Sequence, residues 1–143
     1  MATLAIGNLR KVVLHDAASA ATTTLNGSIV CDTQGADGIT VIAALGDVTT
    51  GSVLGLQVQH GDSNSTTGMT DITGASVGFT AGASNADLKL LQVNVGKLTK
   101  RYVRVVITRG TANAVLNGVF GILHGQGREF DGTQGDVIAT TTI

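Results

Sequence analysis

The chain has no proline, no tryptophan and a single cysteine, and only 13% of its 143 residues are charged. Each scarcity excludes something. Cys31 has no partner for an internal disulfide, so it reads as a small buried hydrophobe near a strand end. Without proline, turns fall to glycine, of which there are twenty. The aromatic residues are Phe79, Tyr102, Phe120 and Phe130, too few for a platform that stacks nucleobases or sugar rings. A net charge of −1 removes any global attraction to nucleic acid or acidic lipid. No apolar run approaches the ~20 residues of a membrane-spanning helix. The first residues lack the charged segment and apolar run of a signal peptide. No window carries the 3.6-residue apolar period of an amphipathic helix.

Valine, isoleucine, threonine and glycine dominate in short alternating runs, the profile of many strands joined by glycine turns. The length favours one domain, large enough to bury roughly 70% of its unfolded surface without disulfide or metal. Charge well below the usual ~25% leaves the surface poorly guarded against association. Part of that surface is therefore expected to be covered by other subunits.

The alternation predicts strands over residues 11–15, 22–31, 38–45, 52–60, 88–95, 100–110 and 115–124, with short edge strands at 69–72 and 75–80. Asn26-Gly27 is either a tight turn or a bulge. Gly46-Asp47 reads as the end of the 38–45 strand, and the alanine tract 17–21 as loop. Leu54, Leu56 and Val58 share one face, as do Leu91, Val93 and Val95. In residues 115–124, Leu116, Phe120 and Ile122 fall on one side, and Val115, Val119 and Leu123 on the other. A strand apolar on both sides is either central in a two-layer core or at a subunit interface. Leu116 and Phe120 are expected in the core. The fold class is all-β: an antiparallel β-sandwich, jelly-roll-like, as a single domain over residues 11–125. Residues 1–10 form an N-terminal arm. Residues 126–143 form a tail whose last seven residues are either a terminal strand or an arm that adds to a neighbour's sheet.

The run Lys100-Arg101-Tyr102-Val103-Arg104-Val105-Val106-Ile107-Thr108-Arg109-Gly110 is the clearest strand. Its β-branched residues suit a pleated surface, and Gly110 punctuates its end. It also gathers charge, because five of the nine basic residues lie between Lys97 and Arg109. Val103, Val105 and Ile107 share one face, and Tyr102, Arg104, Val106 and Thr108 the other. A cationic strand of this kind is either an interaction surface or a sheet edge protected against aggregation.

Catalytic and ligand motifs are weak. Gly61-Asp62-Ser63-Asn64 resembles the nucleophile block of GDS-type esterases, but a serine hydroxyl needs a base, and the later Asp-x-x-His pair is missing. A polar turn explains it, and no enzymatic activity is expected. His15, His60 and His124 lack the paired spacing of metal ligands. Asp62, Asn64 and Asp71 lack the regular acidic spacing of a calcium loop and read as turn formers. No glycine cluster has the spacing of a phosphate-binding loop. No cofactor, metal, nucleic acid or membrane is expected as a partner.

Residues 38–125 resemble small virion proteins of tailed bacteriophages. The resemblance lies in Leu54-Gly55-Leu56-Gln57-Val58-Gln59-His60-Gly61-Asp62, Thr70-Asp71-Ile72, Lys100-Arg101-Tyr102-Val103-Arg104-Val105 and Gly110-Thr111-Ala112-Asn113-Ala114. It covers about two-thirds of the chain through strand-and-turn patterns rather than chemically demanding residues. It implies a β-sandwich or jelly-roll unit that decorates the head and cements capsomers, often as a trimer, or else a neck or tail component. It further implies the major capsid protein or other virion proteins as partners, synthesis in the host cytoplasm and a final place on the virion. Within that reading Arg101, Tyr102 and Arg104 are the expected interface anchors, since Arg and Tyr are enriched at binding hot spots. A carbohydrate-binding sandwich is the alternative of another class, weakened by the scarcity of aromatics.

Overall fold

The computed structural model describes residues 9–83 and 86–125. Among these residues ten strands appear in chain order: β1 (Arg10–His15), β2 (Ala18–Ala21), β3 (Leu25–Asn26), β4 (Cys31–Asp32), β5 (Gly38–Val48), β6 (Val53–Gly61), β7 (Thr70–Thr80), β8 (Leu90–Val95), β9 (Tyr102–Gly110) and β10 (Ala114–His124). There is no helix among the described residues. The first sheet has the order β1-β10-β5-β8, with β2 also on β10; the second has the order β3-β9-β6-β7, with β4 also on β9. All pairs are antiparallel.

β1 and β2 follow one another along a single side of β10, while β5 takes the other side. β3 and β4 share one side of β9 in the same way, opposite β6. Counting each interrupted pair once leaves eight strands in two four-stranded sheets. The first described strand lies beside the last, and each sheet mixes early with late strands. This is the jelly-roll arrangement of two antiparallel sheets.

Period two decides what is buried. Leu54, Leu56 and Val58 of β6 face Ile39, Val41 and Ala43 of β5 across the core, together with Val103, Val105 and Ile107 of β9, all at most 1% exposed. Leu91, Val93 and Val95 close the core at β8. Burying each such Val, Leu or Ile side chain contributes roughly 1.5–3 kcal/mol.

Several sequence expectations change. Of the arm expected over residues 1–10, Leu9 is buried and Arg10 opens β1, and residues 1–8 lie outside the described residues. The alanine tract holds a strand, β2, paired through Ala18 and Ala21 to β10. Residues 22–31 are not one strand. Only Leu25–Asn26 pairs, the Gly27 N–H donates to Val105 O, and pairing resumes at Cys31. β5 runs through Gly46-Asp47, because Val48 still pairs with Ala114. The two short edge strands are one, β7, with a register irregularity on its partner between Gln57 and Gln59 and Gly74 at φ 82°.

β10 carries the largest correction. Its register on β5 shifts between Ala114 and Gly118, and Gly118 sits at φ 147°, a region open to glycine at little cost. The irregularity turns the later side chains over. Leu116, Val119 and Leu123 point inward and are at most 1% exposed, whereas Phe120 points outward and is 40% exposed. At the irregularity the Asn117 side chain donates to Leu45 O at 3.2 Å. The tail expected over 126–143, with a terminal strand or an arm at 137–143, lies outside the described residues.

Candidate interaction surfaces

The outer face of the second sheet is polar and cross-tied. β9 is internal, between β3/β4 and β6, so edge protection does not explain its charge. Gln59 is the register partner of both Arg104 and Asp71. The side chains follow that row: Arg104 Nε donates to Gln59 Oε1 at 2.7 Å, and Gln59 Nε2 donates to Asp71 Oδ1 at 2.7 Å. Two residues away along β6, on the same face, Gln57 donates to Ile72 O on β7.

At the N-terminal end of β9, Arg101 grips Asp32 with two bonds, Nε to Oδ1 at 2.9 Å and Nη2 to Oδ2 at 2.8 Å. Its guanidinium also lies 5.2 Å from the Tyr102 ring centroid. Hydrogen bonding from Arg101, aided by the Gln34 N–H, holds the Asp32 carboxyl down at about 2, against the desolvation that raises it. Arg10 reaches the same strand, donating to Asp32 O. Thr33 donates both its N–H and its hydroxyl to Arg101 O. Lys100 pairs with Asp62 at 3.2 Å. The structure therefore brings Arg101, Tyr102 and Arg104 to one end of one face, with both arginines held in fixed directions by their own neighbours.

Arg109 departs from that pattern. It continues the inward side of Val103, Val105 and Ile107 and is 3% exposed. Its guanidinium donates to Ser19 O, Thr23 O, Thr23 Oγ1 and Ala114 O at 2.7–3.1 Å. It thereby ties β2 and the segment after it to β9 and β10. The signal for it was in the sequence: the same alternation, continued two residues beyond Ile107.

The remaining candidates are dispersed. Ser63 is exposed in a turn whose bond runs from Ser65 N–H to Ser63 O. His15, His60 and His124 end β1, lie near the end of β6 and end β10. His15 Nδ1 contacts Asp16 O, and His60 Nδ1 has no hydrogen-bond partner among the described residues. Asp62 and Asp71 bond to Lys100 and Gln59 rather than to each other. Among the described residues no three His, Cys, Asp or Glu cluster as a metal site. No helix there is long and apolar enough to cross a membrane.

The outer face of the first sheet carries an exposed apolar patch, edged by the polar Gln92 and Asn94 of β8. Val13 and Phe120 are each 40% exposed and Leu90 60%, with half-buried Ile42 beside Phe120 on β5 and half-buried Ile122 two residues along β10. Sequence reasoning missed this face because it assigned Phe120 to the core.

No protein-family model and no curated protein matches the chain. Among solved structures the chain is similar to Eiger TNF from S. frugiperda, over 84% of this chain and 98% of that one, at 6% identity and a TM-score of 0.39. The jelly-roll assignment stands on the strand order.

Proposed function

We propose that this protein is a non-enzymatic structural component of a tailed-phage virion, a decoration protein that cements capsomers on the head. The observation that carries the reading is the pair of broad, differently finished sheet faces. The second sheet offers a polar face cross-tied by Arg104–Gln59–Asp71 and Arg101–Asp32, and the first a face with an exposed apolar patch. Two such faces suit binding by area, with one toward capsid subunits and one toward copies of itself. The likeness of residues 38–125 to small virion proteins supplies the class of partner. Many weak contacts repeated by symmetry give avidity without a strong single site. A ligand that binds the assembled shell and not its parts stabilises the shell.

The test mixes purified protein with undecorated expanded heads and measures bound copies and resistance to heat. Saturable binding with a raised disruption temperature supports the proposal. If the protein neither binds nor protects heads, a neck or tail position takes its place.

A further inference from the structure

On the outer face of the first sheet, the ladder lays side chains in rows. The middle row runs Val13 on β1, Phe120 on β10, Ile42 on β5 and Gln92 on β8. Two residues toward one end the row is Lys11, Ile122, Thr40 and Asn94. Two residues toward the other end it is Gly118, Ala44 and Leu90, with His15 and Asp16 beyond them at the β1 side. The rows on either side of the middle one differ in relief. Ile122 stands on one; on the other, Gly118 and Ala44 leave a hollow of about 340 Å³ that reaches His15 and Asp16.

We propose that this face is the contact between two copies of the chain, related by a two-fold axis lying along the Val13–Phe120–Ile42 row. Such an axis sets each strand against its own copy in reverse direction. The Ile122 row of one copy then lies over the Gly118 row of the other, so a branched side chain meets the hollow where a side chain is missing. The same operation sets Lys11 of each copy toward Asp16 of the other, so the rim charges are complementary. The middle row contains no charge, as expected where like meets like in a permanent contact. Four strands ~4.8 Å apart, six to eleven residues long at ~3.3 Å each, give a flat face of about 400–700 Å². Side-chain relief raises this toward the ~800 Å² per partner of a stable interface. Aligned sheets pack about 10 Å apart at roughly 30°, which the twisted outer face can accept.

The inference rests on the self-association proposed above and not on attachment to heads. The virion resemblance implies a trimer, whereas this face is self-complementary about a two-fold. Sedimentation equilibrium in the absence of capsids should return twice the chain mass at micromolar concentration. Phe120→Glu should weaken association at least 100-fold while leaving the circular dichroism spectrum and melting temperature close to wild type. Lys11→Asp and Asp16→Lys should each weaken it, and the two together should restore it. A wild type monomeric at 100 μM would remove both self-association and this face. An oligomer untouched by Phe120→Glu, or one unmoved by the charge swap, would remove this face alone. A trimer mass would overturn the two-fold. If truncation after Gly125 converts a monomer into a dimer, the tail 126–143 and not a second copy covers the face, and the proposal fails.

Discussion

Arg109 is the residue on which most depends. A guanidinium 3% exposed would cost several kcal/mol if left alone. Here it is met by three backbone carbonyls and one hydroxyl. Removing it strips a partner from each at once. Arg109→Ala is expected to cost about 3 kcal/mol or more in urea unfolding, with Arg109→Lys recovering part, since a single ammonium cannot reach the same four oxygens. An effect below ~1 kcal/mol would mean that water replaces the guanidinium at little cost. Asp32 gives a second residue-scale expectation. Its carboxyl is held at about 2 against a reference of 3.8, so the folded state favours the ionised form. The Arg101 pairing therefore contributes fully above about pH 4 and is lost as pH falls through about 2. Between those values wild type should lose melting temperature more steeply than Asp32→Asn. The difference should be small, because the pair stands in solvent. Parallel slopes would show that the pair contributes nothing. Arg109 was legible from alternation, but Asp32 was not. Its partner lies 69 residues away, and nothing local announces a contact at that distance.

At the scale of the strand, period two made most of the sandwich readable. The inward sets Leu54-Leu56-Val58, Val103-Val105-Ile107 and Leu91-Val93-Val95 follow from alternation alone. What stayed hidden were places where tertiary pairing overrides local composition. The alanines of β2 have little strand propensity of their own, but Arg109 and β10 supply carbonyl and ladder partners. β5 continues through Gly46 because β10 still pairs with it at Val48. The β10 irregularity inverted the expected faces of Phe120 and Val119, and only the glycine at 118 hinted at it. β10 also explains a third glycine's cost. A Cβ at Gly121 would lie 2.9 Å from Ile39 Cδ1, 3.1 Å from Leu14 Cδ1 and 3.3 Å from Val12 Cγ2. Ile39 and Leu14 are themselves fully buried, so they have nowhere to move. Gly121→Val is expected to destabilise by about 1–3 kcal/mol through overpacking, read as a lower denaturation midpoint with an unchanged slope. A neutral result would mean that the two sheets separate there without loss.

At the scale of the whole molecule the two outer faces can be separated by experiment, because they share no residue. The second-sheet face presents Arg101, Tyr102 and Arg104, which were legible as a cluster from the basic run even though their intramolecular partners were not. The first-sheet face was legible only as a surplus of apolar surface without an address. If the faces divide the work as proposed, substitutions on them should dissociate. Arg104→Ala frees Gln59 and Asp71 to find water, so the fold should hold. It also removes a directed cation from the polar face, and hot-spot arginines cost ~2 kcal/mol or more on truncation, about 30-fold in affinity. Arg104→Ala should therefore weaken binding to undecorated heads by roughly that factor while the sedimentation mass stays as in wild type. Phe120→Glu should do the opposite: it should abolish self-association, while a single copy keeps its intrinsic contact with the head. Net head affinity would then fall only by the avidity that linked copies contribute. Isothermal titration against heads and sedimentation in their absence, run on both variants, decide between outcomes. If Phe120→Glu loses the intrinsic head contact and Arg104→Ala loses nothing, the apolar face meets the capsid, and the division of faces is reversed.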